Sequence, residues 1–147
     1  MELLSAFKLR VYNEYTHRGF LRHVLIRTGQ FTGEMLVVLV ATSLEMPGKR
    51  AFVEALRARC PEITSLVLNE NNRQTSMVLG KRETVLFGPG YLEDELCGKR
   101  FRISPQSFYQ VNAQQAEVLY ETAIRLAGFT GKETVLDAYC GTGTIGL

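Results

Sequence analysis

The chain has 147 residues, 46% of them hydrophobic and 22% charged, and its 17 Lys and Arg against 15 Asp and Glu leave a net charge of +2. That length supports one ordinary domain burying about 70% of the surface its unfolded form exposes. The composition excludes a disordered or fibrous chain. The longest apolar run, Met35 to Ala41, falls far short of the roughly 20 residues a membrane helix needs. Residues 1–10 hold Glu2 and only scattered apolar groups, unlike a secretory leader.

From Lys8 to Arg27 the chain carries Lys8, Arg10, Arg18, Arg22 and Arg27 against a single acid, Glu14. Such an excess suits an anionic partner such as nucleic acid, and it equally describes a solvated basic face. Phe20 to Arg27 and Glu34 to Thr42 read as two strands joined through Gly29 and Gly33, the second apolar enough to be buried on both faces. Phe52, Val53 and Leu56 recur at helical spacing between Lys49 and Arg59, and Pro61 ends that helix. Ile63 to Leu68 predicts a strand, and "NENNRQT" a polar loop. Short strands are expected at Ser76 to Leu79 and Thr84 to Phe87, and a hairpin from Tyr91 to Ile103 turning at Gly98. A mixed sheet with at least one helix follows, an α+β unit with its own core.

Asn112 is placed to cap a helix whose apolar stripe is Ala116, Leu119, Tyr120, Ala123, Ile124 and Ala127, with Gly128 as its stop. Thr134-Val135-Leu136 then predicts a short buried strand running into Asp137. Helix, strand and glycine loop together resemble the entry to a Rossmann-like sheet. Cys60, Cys97 and Cys140 are widely spaced and lack a C-x-x-C, while His17 and His23 lie among arginines. This excludes a disulfide framework, gives no metal ligand set and fits a reducing, cytoplasmic setting.

The glycines after Asp137 decide between chemistries. Gly141-x-Gly143-x-x-Gly146 has dinucleotide-site spacing, and a plain structural turn gives the same pattern. In the nicotinamide fingerprint, however, the strand leads almost directly into the first glycine. Here Asp137 closes the strand and Ala138-Tyr139-Cys140 intervene. A carboxylate repels a pyrophosphate but suits a ligand carrying positive charge and hydroxyls, as S-adenosylmethionine does. A phosphate-binding loop of the Walker type is excluded, because the loop has no lysine.

"FRISPQSFYQVN" (Phe101 to Asn112), taken with "VLDAYCGTGTIGL" (Val135 to Leu147), resembles the S-adenosylmethionine-dependent RNA 5-methyluridine methyltransferases, most closely their 23S ribosomal-RNA branch. "VYNEYTHRGFLRHVLIRTGQFTGEMLVVLV" resembles the middle region of the same family. The resemblance implies an α+β central domain over residues 1–110 and, over residues 111–147, the start of an α/β Rossmann-like methyltransferase domain. It also implies that the chain is part of a longer protein acting on ribosomal RNA. In this family a cysteine thiolate adds to C6 of uracil and C5 then takes the methyl group. The nucleophile and the base fall outside this chain, so no catalytic residue is assigned.

By resemblance Gln110, Tyr139 and Thr144 contact S-adenosylmethionine beside Gly141 and Gly143. Phe108 is a candidate to stack on a nucleobase, or else a core residue beside Val111. Arg22 and Arg27 are the candidate RNA contacts. A non-catalytic RNA-binding module using Arg18, Arg22, Arg27, Arg73, Lys81 and Arg82, and a nicotinamide oxidoreductase, are the two alternatives. Cys140 is expected to pack beneath the glycine turn, and Asp137 to orient the loop through its backbone amides.

Overall fold

The computed structural model describes residues 2–144 and 146. A four-stranded sheet forms the middle layer, built from β1 (Leu21–Thr28), β2 (Met35–Ala41), β3 (Ser65–Glu70) and β4 (Arg82–Phe87) in that spatial order. β1 and β2 are the expected antiparallel hairpin. β2 and β3 run parallel across the crossover helix α2 (Lys49–Arg59), and β4 returns antiparallel along the edge. The run of valines and leucines in β2 is buried on both faces because the sheet is covered on both sides. Val37, Leu39, Leu66 and Leu68 meet Phe52 of α2 on one side, where the short helix α1 (Glu2–Ala6) also packs through Leu3 and Leu4.

On the other side Leu36, Val38, Val40 and Val67 meet the separate hairpin of β5 (Leu92–Leu96) and β6 (Lys99–Ile103). The same core takes in Ala113, Ala116 and Tyr120 of helix α3 (Ala113–Ala127). Asn112 caps α3 as expected, its Oδ1 accepting from the Gln115 N–H at 3.1 Å. Gly128 ends the helix at φ 63°, a left-handed conformation that glycine takes without strain.

Three sequence expectations are corrected. Ser76 to Leu79 is a loop and not a strand: the Asn71 side-chain amide donates to the Met77 and Val78 carbonyls at 2.7 and 3.0 Å, so these carbonyls join no ladder. Asn69 clamps the loop's end, accepting from the Gly80 N–H at 2.7 Å and donating to its carbonyl at 3.1 Å. Gly80 lies so close that any Cβ would overlap the Glu70 carbonyl. Second, the outer part of the α3 stripe is open, with Leu119 59% and Ile124 47% exposed. Third, residues 134–136 form no strand, and Val135 and Leu136 are 61% and 86% exposed. A single extended segment cannot satisfy its backbone as a strand without a neighbour to pair with. Ile145, the remaining apolar residue of that region, lies outside the described residues.

Two carboxylates, chiefly Asp94, join the β5–β6 hairpin to the sheet. Asp94, 2% exposed, accepts from the backbone N–H groups of Gln30 at 3.0 Å, Phe31 at 3.0 Å and Thr32 at 3.4 Å in the β1–β2 turn. The Thr32 hydroxyl donates to the Glu93 carbonyl at 2.6 Å, and the Glu93 N–H donates to Glu34 at 2.7 Å. Replacing Asp94 by Ala removes the charged acceptor of three turn amides, and the expected loss is about 3 kcal/mol, read as a lower urea midpoint at unchanged slope. A shift corresponding to less than about 0.5 kcal/mol would show that the turn is held by its other contacts.

Candidate functional site

After β6 the chain crosses residues 104–112 without regular structure, and Gln110 comes to lie half-buried, lining an open cleft along α3 and the two cavities described next. The segment is pinned locally: the Ser104 N–H donates to the Ser107 hydroxyl at 3.1 Å, and the Ser107 N–H returns to the Ser104 carbonyl at 3.2 Å. Tyr109 packs toward Phe101 at 6.3 Å between ring centroids. Burial, followed by the nearby Asp94 carboxylate, raises its phenol above the ordinary range.

The first cavity, about 160 Å³, is lined by Gln110, Tyr120, Asp137, Tyr139, Gly141 and Thr144 among others. Among the described residues the glycine loop is fastened to the body at two points. The Thr144 and Tyr120 hydroxyls lie 3.2 Å apart, and the Thr142 hydroxyl donates to the Phe108 carbonyl at 3.3 Å. Asp137 orients the loop's start as expected, its Oδ1 accepting from the Tyr139 N–H at 3.2 Å. Gly141 and Gly143 have φ of 55° and 80°, and the Gly143 N–H bonds the Cys140 carbonyl at 2.7 Å. Gly143 stands behind the turn and does not line the cavity, and Tyr139 is 98% exposed at its rim. Cys140 is exposed and not packed under the turn.

Among the described residues no lysine or arginine lines this cavity, while an amide, hydroxyls and a carboxylate do. That donor set suits a ligand with hydroxyls and positive charge, and it disfavours a pyrophosphate.

The second cavity, about 380 Å³, lies between β1, the β5–β6 hairpin and residues 108–111, and includes Arg27, Asp94, Phe108 and Gln110 in its lining. Phe108 is 77% exposed and Val111 fully exposed, which removes the core reading of Phe108. Arg27 is half-buried, its Nε is buried without a hydrogen-bond partner among the described residues, and desolvation lowers its pKa. A desolvated guanidinium with an unused donor is poised for an anion or a carbonyl.

Arg22 is different in kind. Its side chain is only 2% exposed and pairs with Glu14 at 3.0 Å. It also donates to the Asn71 and Arg73 carbonyls at 3.0 and 2.7 Å, with its guanidinium 4.6 Å from the Tyr12 ring centroid. Arg22 therefore holds residues 12–14 and 71–73 to β1, and its donors are not free for RNA. Side-chain direction along β1 separates it from Arg27.

No family model matches the chain. It is 44% identical to an uncharacterized RNA methyltransferase of Halalkalibacterium halodurans over 99% of this chain and 32% of that protein. It is 42% identical to one of Clostridium acetobutylicum over 98% of this chain and 31% of that protein. The chain thus spans about a third of the length of the curated relatives it matches. Among solved structures it resembles the Pyrococcus abyssi tRNA (uracil-54, C5)-methyltransferase, crystallised with S-adenosyl-L-homocysteine, with a TM-score of 0.77 and 26% identity over 99% of this chain and 33% of that one.

The loop contacts generate a test. Tyr120→Phe removes the hydroxyl facing Thr144 and is expected to cost the loop about 1 kcal/mol. Amide exchange in residues 139–144 should rise roughly fivefold while β2 and β3 stay protected; unchanged exchange would mean that the Tyr120–Thr144 contact does not hold the loop.

Over nearly its whole length, as its motifs led us to expect, the chain is homologous to proteins named RNA methyltransferases and shares its fold with a third of a tRNA uracil-C5 methyltransferase.

Proposed function

We propose that this chain is the part of an S-adenosylmethionine-dependent RNA methyltransferase that presents one wall of the cofactor site and one wall of the RNA site, for methylation of uracil C5. One observation carries the reading: Gln110 stands at the junction of a cation-free, hydroxyl- and carboxylate-lined cavity and a groove holding Arg27 and Phe108. The side-chain amide of Gln110 both donates and accepts, so it suits the ammonium-and-carboxylate end of the methyl donor. Tyr139, Gly141 and Thr144 shape the same cavity, and Gly143 keeps the loop's turn. The cofactor, when bound, supplies an electrophilic methyl group.

Across the junction, Phe108 offers an exposed ring on which a splayed base stacks, and Arg27 a partly desolvated cation for phosphate or a base carbonyl. Ribosomal RNA is the substrate we assign, in the cytoplasm; a tRNA is the competing substrate that the same assay scores. The cysteine thiolate that adds to C6 is assigned to a residue outside this chain. Cys60 closes α2 and Cys97 sits in the β5–β6 turn, away from both cavities, and Cys140 is part of the glycine loop.

In a full-length protein carrying this chain, Gln110→Ala is expected to lower transfer of tritiated methyl groups into RNA by about 10- to 100-fold, the worth of hydrogen bonds to a charged ligand. The KM for S-adenosylmethionine should rise with it. Nuclease digestion should place the label in 5-methyluridine of ribosomal RNA; label in another nucleoside would refute the uracil assignment, and label in tRNA alone the ribosomal one. Phe108→Ala should weaken RNA binding roughly tenfold, within the range of one base stack, and leave cofactor binding intact. The isolated chain encloses only about 160 Å³ at the glycine loop, so calorimetry should find S-adenosylmethionine binding weaker than about 1 mM. Micromolar binding would contradict this partition of the site.

A further inference from the structure

The face of the sheet opposite Gln110 carries its own cationic groove. α2 holds Lys49, Arg50, Arg57 and Arg59 against one acid, Glu54. Arg59 is spent on Glu2, at 3.0 Å. Among the described residues Lys49, Arg50 and Arg57 form no ion pair. Arg50, Glu54 and Arg57 share one helical face at i, i+4 and i+7. With Lys49 they rim a cavity of about 390 Å³ whose apolar lining is Val53, Val85 and Leu86. Val85, on the edge strand β4, is 50% exposed.

Arg57 is held in place by Phe87, whose ring centroid is 3.6 Å from the guanidinium carbon. A guanidinium held over a ring face keeps its in-plane N–H groups available to grip a phosphate with two parallel bonds. Lys49 and Arg50 stand in the first turn of α2, which has no acid. Positive side chains at the positive end of a helix repel it, and a polyanion lying across this face removes that repulsion.

We propose that the outer face of α2, with the β4 edge beside it, is a second RNA-contact surface that takes backbone phosphates through Lys49, Arg50 and Arg57, on the side of the sheet away from the base-binding groove. The inference rests on the reading of RNA as substrate. It adds that the RNA bends round the β4 edge or reaches this face with a flanking segment. The apolar floor between the cations accommodates a ribose or an unpaired base, which a simple solvated basic face does not provide.

The test is fluorescence anisotropy of a labelled, uridine-containing RNA hairpin with a single-stranded flank, titrated with this chain from about 50 to 200 mM salt. Each phosphate contact on a single strand contributes about 0.7 to the log–log salt slope. Arg50→Gln/Arg57→Gln should therefore flatten the slope by about 1.4 and weaken binding roughly tenfold at the lowest salt. Arg50→Gln alone, which leaves the Arg57–Phe87 stack intact, should give half the change in slope with an unaltered circular dichroism spectrum. Arg50→Lys/Arg57→Lys should keep the slope. An unchanged slope in the double Gln variant, or no RNA binding by the parent chain at about 100 μM, overturns the proposal. The cofactor reading is scored separately by methyl transfer in Gln110→Ala, so either can fail without the other.

Discussion

A buried carboxylate makes the candidate site possible. Asp94 sits on β5, which shares no ladder with the main sheet, and its oxygens collect the amides of the turn between β1 and β2. Each such bond is charge-assisted and shielded from water, so it is stronger than an ordinary amide pair. The hairpin is thereby fixed against the face of β2, and everything C-terminal to β6 inherits that position. Residues 104–112 have no regular structure of their own, so the location of Gln110 is a consequence of where β6 ends.

The same arrangement explains why β2 tolerates such an apolar sequence. Its two faces are covered by unlike layers, helices α1 and α2 on one side and the β5–β6 hairpin with α3 on the other. The crossover through α2 places a helix on one face of the parallel pair, as parallel strands require. The candidate sites are divided along the same line. The cofactor and base-binding candidates lie on the hairpin side, and the cationic groove of α2 lies on the helical side.

The C-terminal third has a different energetic character. α3 buries Ala113, Ala116 and Tyr120 but leaves Leu119, Ile124 and Leu126 open. Beyond Gly128 the backbone relies on local bonds: Glu133 accepts from the N–H groups of Thr130, Gly131 and Lys132 and from the Thr130 hydroxyl, which holds its carboxyl down at about 2. The folded-state pKa lies below the ordinary 4.5. This turn is therefore favoured above about pH 4.5 and is released as pH falls toward 2. The glycine loop hangs from Tyr120 and the Phe108 carbonyl.

The sequence by itself determined the elements whose signals are local. The doubly buried β2, the helix from Lys49 to Arg59, the hairpin turning at Gly98 and the Asn112 cap follow from periodicity, turn residues and capping chemistry, which act over a few residues. The motifs around Gln110 and the glycine loop were likewise legible as a pattern. Tertiary structure alone decided the rest, because it depends on which distant groups meet. Ser76 to Leu79 has the composition of a strand, yet Asn69 and Asn71 take up backbone groups of this stretch and of Gly80. Val135 and Leu136 have the composition of a buried strand, yet a strand exists only where another pairs with it. Arg22 and Arg27 are indistinguishable in a list of basic residues. Only packing turned the first inward to Glu14 and the backbone at 71 and 73, and left the second with an unsatisfied nitrogen in a groove.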